Sequence, residues 1–407
     1  MASLKKNLTI RWKIMNKVEL LSPAGDLERL KVTLLYGADA VYIGGKKYSL
    51  RANATNFDLD EIKEGVEFAH KLNKKVHFTL NIAFHEKDLI DLYDYIDDVV
   101  NCGVDAFIVS DYSIAKYIKD KYKVEVHIST QDSTTNYLSI KYLEEEGFDR
   151  VVLARELSSD EIKEINEKVN IDTEVFIHGA MCTCMSGRCA LSNYITNRDA
   201  NRGGCAQVCR FVFDTDKKDF TLATKDMNMA PHIKELISLG VKSFKVEGRM
   251  RSIYYLATVI GTYRKLIDDI YNNTLTDDKL ENYIDRLNRV ANRETSSHYF
   301  KHEADYTDQY FTGRQEISNQ DFLALIDGYD NDNKCLNIIE RNYFEVGDVI
   351  EIFTPEEEFI IKLDKLYDEN MNSIDIARHP GELLKIPFDK KLPKYSMIRI
   401  KERKDYE

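Results

Sequence analysis

The sequence predicts an α/β fold: a (β/α)8 TIM-like barrel with a cysteine-rich insertion after strand 7 and a small β-barrel domain at the carboxyl end. Three observations lead to this prediction. Eight short β-rich runs alternate with helical patterns between about residues 18 and 270. Five of the seven cysteines lie within 180–224, directly after the seventh run. From about Asp321 onward, short alternating strands and turns replace the helical patterns, as in a small β-barrel or sandwich.

The strand candidates are apolar on both faces in several runs, such as AVYI, AFIVS and VVLA, which is typical of parallel strands covered by helices. Between them, segments 59–73 and 87–101 carry apolar residues three and four positions apart and are predicted to be amphipathic helices. Four junctions share a glycine that ends a helix just before a strand: LYGADAVYI, NCGVDAFIV, EEGFDRVVL and SLGVKSFKV. The eight candidates cover 18–21, 40–43, 75–81, 104–110, 124–131, 150–155, 173–178 and 241–247.

Eight such strands in about 250 residues fit a (β/α)8 barrel, whose active site lies at the carboxyl ends of the strands. An open doubly wound sheet is the alternative, but its GxGxxG fingerprint is absent from the sequence. Because the insertion follows the carboxyl end of a strand, we expect it over the barrel mouth, where insertions are usually functional. The expected units are a basic N-terminal extension (1–17), the barrel domain (18–300) with its insertion (180–224) and closing helices at 252–271 and 277–292, and a small β-rich domain (310–407).

The charge balance argues against a protein that coats nucleic acid. The 407 residues include 57 Lys and Arg against 69 Asp and Glu, a net charge of −12. Two segments depart from this balance. The first 17 residues carry five positive side chains and no acid, and the stretch from Cys182 to Arg210 carries four arginines and one aspartate. An anionic partner is expected at these two places, although a solubilising tail and solvated arginines would look the same.

Composition also bears on the compartment. The hydrophobic fraction of 43% excludes wholesale disorder. No run of about 18 apolar residues is present, so no membrane partner is expected. The N-terminus lacks the sustained apolar core of a secretory signal, and the expected location is cytoplasmic. In a reducing compartment, cysteines serve as metal ligands, reactive thiols or core residues rather than disulfides.

The insertion holds Cys182, Cys184, Cys189, Cys205 and Cys209. Clustered thiolates select zinc or an iron–sulfur cluster. Structural zinc sites typically use two closely spaced cysteine pairs. If Cys184 is left out, the spacing C-x6-C-x15-C-x3-C contains one close pair, which slightly favours the larger cluster. Zinc and unligated buried thiols remain the alternatives.

The same segment resembles the signature of the collagenase-like peptidases of bacteria, peptidase family U32. The matching motifs are EVFIHGAMC, SGRC and CAQVCR, within residues 174–210. Three further blocks resemble the family: LLSPAGDLERL with GADAVYIGG near the start, KDMNMAPHIKELISLGVKSFKVEGRMRS at 225–252, and RNYFEVGDVIEIF at 341–353, which is similar to the carboxyl-terminal domain of longer members. The resemblance covers roughly 18–400.

The resemblance implies oxygen-independent hydroxylation. The family was named for collagen degradation, but members with this cysteine set hydroxylate tRNA wobble uridine, a ribosomal cytidine or a quinone precursor, with an iron–sulfur cluster and prephenate as oxygen donor. The length and carboxyl-terminal domain resemble the tRNA-hydroxylating branch, which implies 5-hydroxyuridine formation, tRNA as partner and, in some members, a homologous subunit. By position, Cys182, Cys189, Cys205 and Cys209 match the ligands of a [4Fe-4S] cluster. Cys184 departs from the family pattern.

Two other functions stay open. A peptidase needs an activated nucleophile, paired carboxylates or an open metal site. The sequence has no GxSxG and no HExxH, and a Cys182–His178 dyad would conflict with Cys182 as a cluster ligand. The other alternative is a non-catalytic, metal-binding subunit that supports a homologous hydroxylase.

Hydroxylation with prephenate, a dicarboxylate, requires cationic side chains that can hold carboxylates. The residues predicted for this pocket lie at strand ends: Arg155, Gln131, Asn81, Lys225 and Lys245. The catalytic candidates are His178 as proton donor or orienting group, Glu247 as base, and Arg249. An internal ion pair is an equally supported role for Lys245 and Glu247.

RNA recognition is predicted at Arg188, Arg202, Arg210 and Arg251, with Tyr194 available to stack on a base.

Overall fold

The structure, a computed structural model, describes residues 17–50, 55–214, 216, 219–291, 293–310 and 321–404. The predicted basic extension lies outside the described residues except for Lys17, whose ammonium group pairs with Asp268. In the described part of the chain, no helix combines the length and apolarity that a membrane crossing requires.

Eight parallel strands close into a barrel, as the sequence predicts. Each strand pairs with the next along the chain, and the last pairs with both the first and the seventh. One further short strand, β8, follows the insertion and pairs antiparallel with the end of the seventh strand instead of joining the ring. The strands are β1 (Glu19–Pro23), β2 (Ala40–Gly44), β3 (Lys75–Leu80), β4 (Ala106–Val109), β5 (Glu125–Ile128), β6 (Arg150–Val152), β7 (Asp172–Ala180), β8 (Asp226–Asn228) and β9 (Ser243–Val246).

The helices follow the strands and cover the barrel. They are α1 (Leu27–Leu35), α2 (Leu59–Lys71), α3 (Leu92–Asn101), α4 (Tyr112–Lys121), α5 (Tyr137–Glu145), α6 (Ser159–Lys168), α7 (Leu191–Thr196), α8 (Ile233–Ser238), α9 (Ile253–Asn272) and α10 (Asp277–Val290). The four predicted helix-to-strand glycines, Gly37, Gly103, Gly147 and Gly240, have φ between +84° and +108°. Around Gly147 and Gly240 an added Cβ would meet nothing within 4 Å, so the left-handed backbone itself favours glycine there.

The insertion joins β7 to β8 and contains α7 between short 3-10 turns. After α10 the chain returns to this region, where β10 (Thr295–Ser296) pairs with β8 and the Tyr310 backbone N–H donates to Ala223. Residue 310 therefore packs beside the insertion, ahead of the carboxyl-terminal sheet.

The carboxyl-terminal domain is an antiparallel sheet with its own apolar core. Its strands are β11 (Phe322–Asp330), β12 (Cys335–Glu340), β13 (Phe344–Glu345), β14 (Val349–Phe353), β15 (Glu358–Lys362), β16 (Leu366–Asp368), β17 (Ser373–Ile374), β18 (Ile376–Ala377), β19 (Leu383–Pro387) and β20 (Met397–Glu402). Eight of them pair in the order β15-β14-β20-β11-β12-β19-β16-β17. The domain packs on the outer helices of the barrel, where Tyr254 stacks on Phe322 at 4.8 Å and the Tyr36 hydroxyl donates to the Tyr395 carbonyl at 2.9 Å.

Candidate active site at the barrel mouth

A cleft of about 520 Å³, including its open mouth, lies among the carboxyl ends of the barrel strands. Six of the residues predicted for substrate binding or catalysis line it, and their charges sum to three cations and one carboxylate. Such a surface suits a ligand with more than one carboxylate. The lining residues are Tyr42, Leu50, Thr79, Asn81, Ile108, Ser129, Thr130, Gln131, Arg155, Phe176, Lys245, Glu247 and Arg249.

The strands leave the sheet earlier than predicted at two of these positions. The predicted strand at 124–131 ends at Ile128, and residues 130–132 form a 3-10 turn that places Gln131 at the cleft. Similarly, β6 ends at Val152, three residues before Arg155. After β6, Leu153 and Ala154 are still buried, and Arg155 is the first polar side chain to line the cleft.

Lys245 belongs both to the cleft and to a buried ion-pair network. Its ammonium group lies 2.8 Å from Glu174 Oε1, and Arg150 contacts the other oxygen of that carboxylate at 3.0 Å. Burial alone would raise the pKa of Glu174, but the charges of Lys245 and Arg150 hold it below its usual value. The predicted ion-pair role is therefore present, and the Lys245 ammonium group also lies 4.6 Å from the centre of the Tyr42 ring.

Arg249 is 4% exposed and is held by neutral groups of the loop after β2. Its guanidinium group donates to Ser49 Oγ at 2.8 Å, to the Leu50 carbonyl at 2.7 Å and to the Asn56 side chain. A Cβ at Gly44 would overlap this guanidinium group, so glycine is required there for close approach. Gly44 of the motif GADAVYIGG thus lies directly against Arg249 of the motif EGRM.

Glu247 is half-buried at the rim of the cleft. The Tyr42 hydroxyl donates to Glu247 Oε2 at 3.3 Å and to the Val246 carbonyl at 3.0 Å. This pairing fixes the direction of the carboxylate, which is what a general base requires.

Arg155 connects the cleft to the cysteines. Its guanidinium group lies 3.7 Å from the centre of the Phe176 ring and donates to the Ala180 carbonyl at 2.8 Å, at the end of β7. Burial raises the pKa of Cys182, and the positive charge of Arg155 acts in the opposite direction. The Arg155 side chain therefore lines the cleft and also acts electrostatically on Cys182, the first thiol of the insertion.

The thiols of the insertion lie close together and are all free. Cys182, Cys189, Cys205 and Cys209 interact electrostatically with one another. A tetrahedral zinc site with Zn–S bonds of about 2.3 Å would place its sulfurs about 3.8 Å apart. Among the described residues, no three of the sulfurs lie within 4.8 Å of one another. Neighbouring free thiols are donors that suit zinc or an iron–sulfur cluster, and the choice of an iron–sulfur cluster stays a prediction.

Cys184 differs from the other four thiols. Burial, then hydrogen bonding and charge repulsion at Cys189, raise its pKa to about 12. Cys184 also interacts electrostatically with Cys182, Cys189 and Cys209, so it lies within the same group of thiols. The ligand set of Cys182, Cys189, Cys205 and Cys209 stays the prediction that the family resemblance gives.

Two predicted residues lie away from the cleft. His178 packs between the Tyr255 and Tyr263 rings, with Nδ1 3.2 Å from the Tyr263 hydroxyl. Burial, and then the charge of Arg251, lower the pKa of His178 to about 3, so it is neutral near pH 7 and has no charged proton to donate. Lys225 pairs with Glu294 at 2.9 Å at the insertion's edge. Sequence position alone placed both at strand ends and could not show that neither side chain enters the cleft.

The predicted RNA-binding arginines have different surroundings. Arg202 forms a two-pronged ion pair with Asp88, at 2.5 and 2.8 Å, and its hydrogen bonds lower the pKa of Asp88 to about 2. It therefore tethers the insertion to the segment after β3, and its contact with RNA stays a prediction. Arg251 pairs with Asp226 at 3.2 Å, and exposed Arg188 donates to the Gln131 carbonyl. Tyr194 is 87% exposed and is open for stacking.

Sequence reasoning missed several residues that line or support the cleft. Thr79 and Thr130 lie within two residues of the predicted strand-end positions 81 and 131. Their polar side chains could therefore have identified them as cleft residues. Ser49 and Asn56 lie in a loop far from Arg249 in sequence, and no local pattern linked them to it.

Two family models match most of the chain, and named proteins resemble it along its length. The model of Peptidase family U32 matches residues 25–310, and that of the Peptidase family U32 C-terminal domain matches residues 318–399. The chain is 42% identical to tRNA hydroxylation protein P1 of Bacillus subtilis over 402 residues, 95% of each chain. It is 40% identical to a 23S rRNA 5-hydroxycytidine synthase of Escherichia coli, over 63% of this chain and 40% of that protein. It is 28% identical to a protein of Porphyromonas gingivalis named Collagenase, over 96% of this chain and 100% of that protein.

Proposed function

The chain belongs to peptidase family U32, and from this premise we propose that it is an RNA hydroxylase that forms 5-hydroxyuridine at the wobble position of tRNA without molecular oxygen. The relative named for tRNA hydroxylation is similar along nearly the whole chain, and the relative named for rRNA hydroxylation is similar over 63% of it. One observation carries the proposal: a cation-lined cleft lies beside a set of neighbouring free thiols, and Arg155 both lines the cleft and acts electrostatically on Cys182.

Prephenate is the proposed hydroxyl donor, and the cleft is its proposed site. Arg155, Lys245 and Arg249 would bind its carboxylates, because guanidinium and ammonium groups pair with carboxylates by charge-assisted hydrogen bonds. Asn81 and Gln131 also line the cleft and offer neutral hydrogen-bonding groups. Glu247, oriented by Tyr42, would accept a proton during the reaction.

The proposed cofactor is a [4Fe-4S] cluster held by Cys182, Cys189, Cys205 and Cys209. When bound, such a cluster supplies electron transfer or Lewis-acid activation at the barrel mouth. The Arg155 charge favours the anionic form of Cys182, and the Ala180 carbonyl keeps that guanidinium group in place.

Peptidase activity receives less support from the site. The cleft lining in the described residues contains no histidine and no cysteine, so it lacks the histidine base that both a Cys–His and a Ser–His peptidase need. A non-catalytic subunit that depends on a homologous partner is distinguished by experiment, because it would bind iron but form no product alone.

The test is mass spectrometry of tRNA nucleosides from cells that lack this gene. The expected result is loss of 5-hydroxyuridine derivatives, restored by the wild-type gene and not by a variant with Cys189→Ala. Unchanged nucleosides in the deletion strain would contradict the proposed function. Protein purified without oxygen should hold about four irons and four sulfides per chain, whereas a colourless zinc-loaded protein would contradict the proposed cofactor.

A further inference from the structure

Arg210 is a half-buried guanidinium group with no acidic partner at ion-pair distance among the described residues. Its hydrogen bond from Nη1 goes to the neutral Gln207 Oε1 at 2.8 Å. The charges that act on it come from Arg293, Asp226, Cys209 and Arg251. Arg210 therefore lies in a cationic neighbourhood directly beside a candidate cluster ligand.

The nearby carboxylate is already engaged. Asp226 accepts from Arg293 at 2.9 Å through one oxygen and from Arg251 at 3.2 Å through the other. Withdrawing a guanidinium group from water next to other cations is unfavourable unless an anion compensates it. By contrast, the carboxylate of Asp88 balances the charge of Arg202 through two hydrogen bonds, so Arg202 needs no further anion.

Partly exposed aromatic side chains follow Arg210 in the chain, and Thr221 Oγ1 donates to the Cys209 carbonyl at 3.0 Å, which brings the segment of Phe220 back beside Cys209. Phe211, the next residue, is 37% exposed, and Phe220 is 43% exposed and stacks on Phe213 with ring centres 5.4 Å apart. Arginine for phosphate together with exposed aromatic rings for bases is the combination that proteins use to bind single-stranded RNA.

We propose that Arg210, supported by Arg251 and Arg293, binds a backbone phosphate of the substrate RNA beside Cys209. This inference rests on the proposed function, since it places the RNA strand within reach of the candidate cluster. It places Arg210 on the RNA backbone, with Arg251 and Arg293 as its cationic neighbours, whereas the charge of Arg202 is balanced by Asp88.

The experiment measures binding of a fluorescein-labelled tRNA anticodon stem-loop by anisotropy as a function of salt, with Arg210→Gln and Arg210→Lys. Each phosphate contact on a single strand contributes about 0.7 to the slope of log affinity against log salt, so we expect Arg210→Gln to lower the slope by about 0.7 and weaken binding roughly fivefold near 0.1 M salt. Arg210→Lys should retain most of the slope. The matched control is Arg198→Gln, an exposed arginine in the same insertion.

The outcomes are separable. Wild-type affinity and slope in Arg210→Gln, with the wild type binding RNA, would overturn this inference alone. Equal losses in Arg210→Gln and Arg198→Gln would also overturn it, because a general charge effect would then explain them. Lost iron with unchanged RNA binding would assign Arg210 to the cluster instead. No RNA binding by the wild type, alone or with a homologous subunit, would overturn the proposed function and this inference together.

Discussion

The barrel cleft and the insertion both bring charged or reactive side chains to the same mouth, but they position them by different means. In the cleft, Lys245 and Arg249 are each 4% exposed and are held by buried partners on the strands and on the loop after β2. In the insertion, left-handed residues such as Ser186 and Gln207 set the turns, and four of the five cysteines are only half-buried. The cleft side chains are therefore positioned by the barrel fold, whereas the thiols are positioned by the turns of the insertion.

The largest expected effect comes from substitutions that remove thiols of the insertion and leave the barrel cleft unchanged. Replacing Cys182, Cys189, Cys205 or Cys209 by Ala should abolish iron binding and reduce tRNA product more than about 100-fold, because a missing thiolate removes a ligand that no neighbour replaces. Iron content and nucleoside mass spectrometry measure both effects.

Cys184→Ala is the matched control, because this thiol lies beside the set and resists deprotonation. It should retain iron and most of the activity. Iron loss in Cys184→Ala equal to that in Cys189→Ala would contradict the assignment of the four ligands.

The next largest effect comes from a substitution in the cleft that leaves the thiols of the insertion unchanged. Arg249→Lys should lower the rate of product formation by about 10- to 100-fold with iron content unchanged, because an ammonium group cannot reproduce the planar set of donors that contacts Ser49, Leu50 and Asn56. Arg198→Lys, at an exposed position, should leave the rate unchanged. If Arg249→Lys instead lost iron, the cleft and the insertion would not be independent regions.

The barrel was predictable because parallel strands and helix-ending glycines carry local signals. The runs AVYI and AFIVS are buried β2 and β4, and the four junction glycines have the left-handed backbone that the pattern requires. Six of the cleft residues were also predictable, since polar residues at strand ends must meet at the barrel mouth.

What the sequence did not show depends on side-chain direction and distant partners. His178 ends the predicted seventh strand, but its side chain packs against Tyr263 from α9 and not in the cleft. Arg202 has its partner Asp88 more than a hundred residues away in the segment after β3. Neither contact has a local sequence signature, because the two partners lie 85 and 114 residues apart in the sequence and meet only when the barrel is folded.

The smallest expected effect concerns the boundary between the two regions, where His178 lies near the end of β7. Its pKa is about 3 in the folded protein, because of burial and then the charge of Arg251, against an ordinary value of 6.5. Above pH 6.5 the residue is neutral in both the folded and unfolded states and does not make stability depend on pH. Below pH 6.5 the unfolded chain gains a proton that the folded chain does not, so folding stability falls as the pH drops from 6.5 toward 3.

At pH 5 this histidine should cost about 2 kcal/mol of unfolding free energy relative to pH 7, since each pH unit below 6.5 contributes about 1.4 kcal/mol. Asparagine does not titrate, so His178→Asn should remove that share of the pH dependence, although it lowers stability at every pH by disturbing the contact with Tyr263. Urea unfolding at pH 7, 6 and 5 measures the slope, with His85→Asn at an exposed site as control. A slope in His178→Asn equal to that of the wild type would mean that His178 is protonated in the folded protein, and the proton-donor role predicted from the sequence would then regain support.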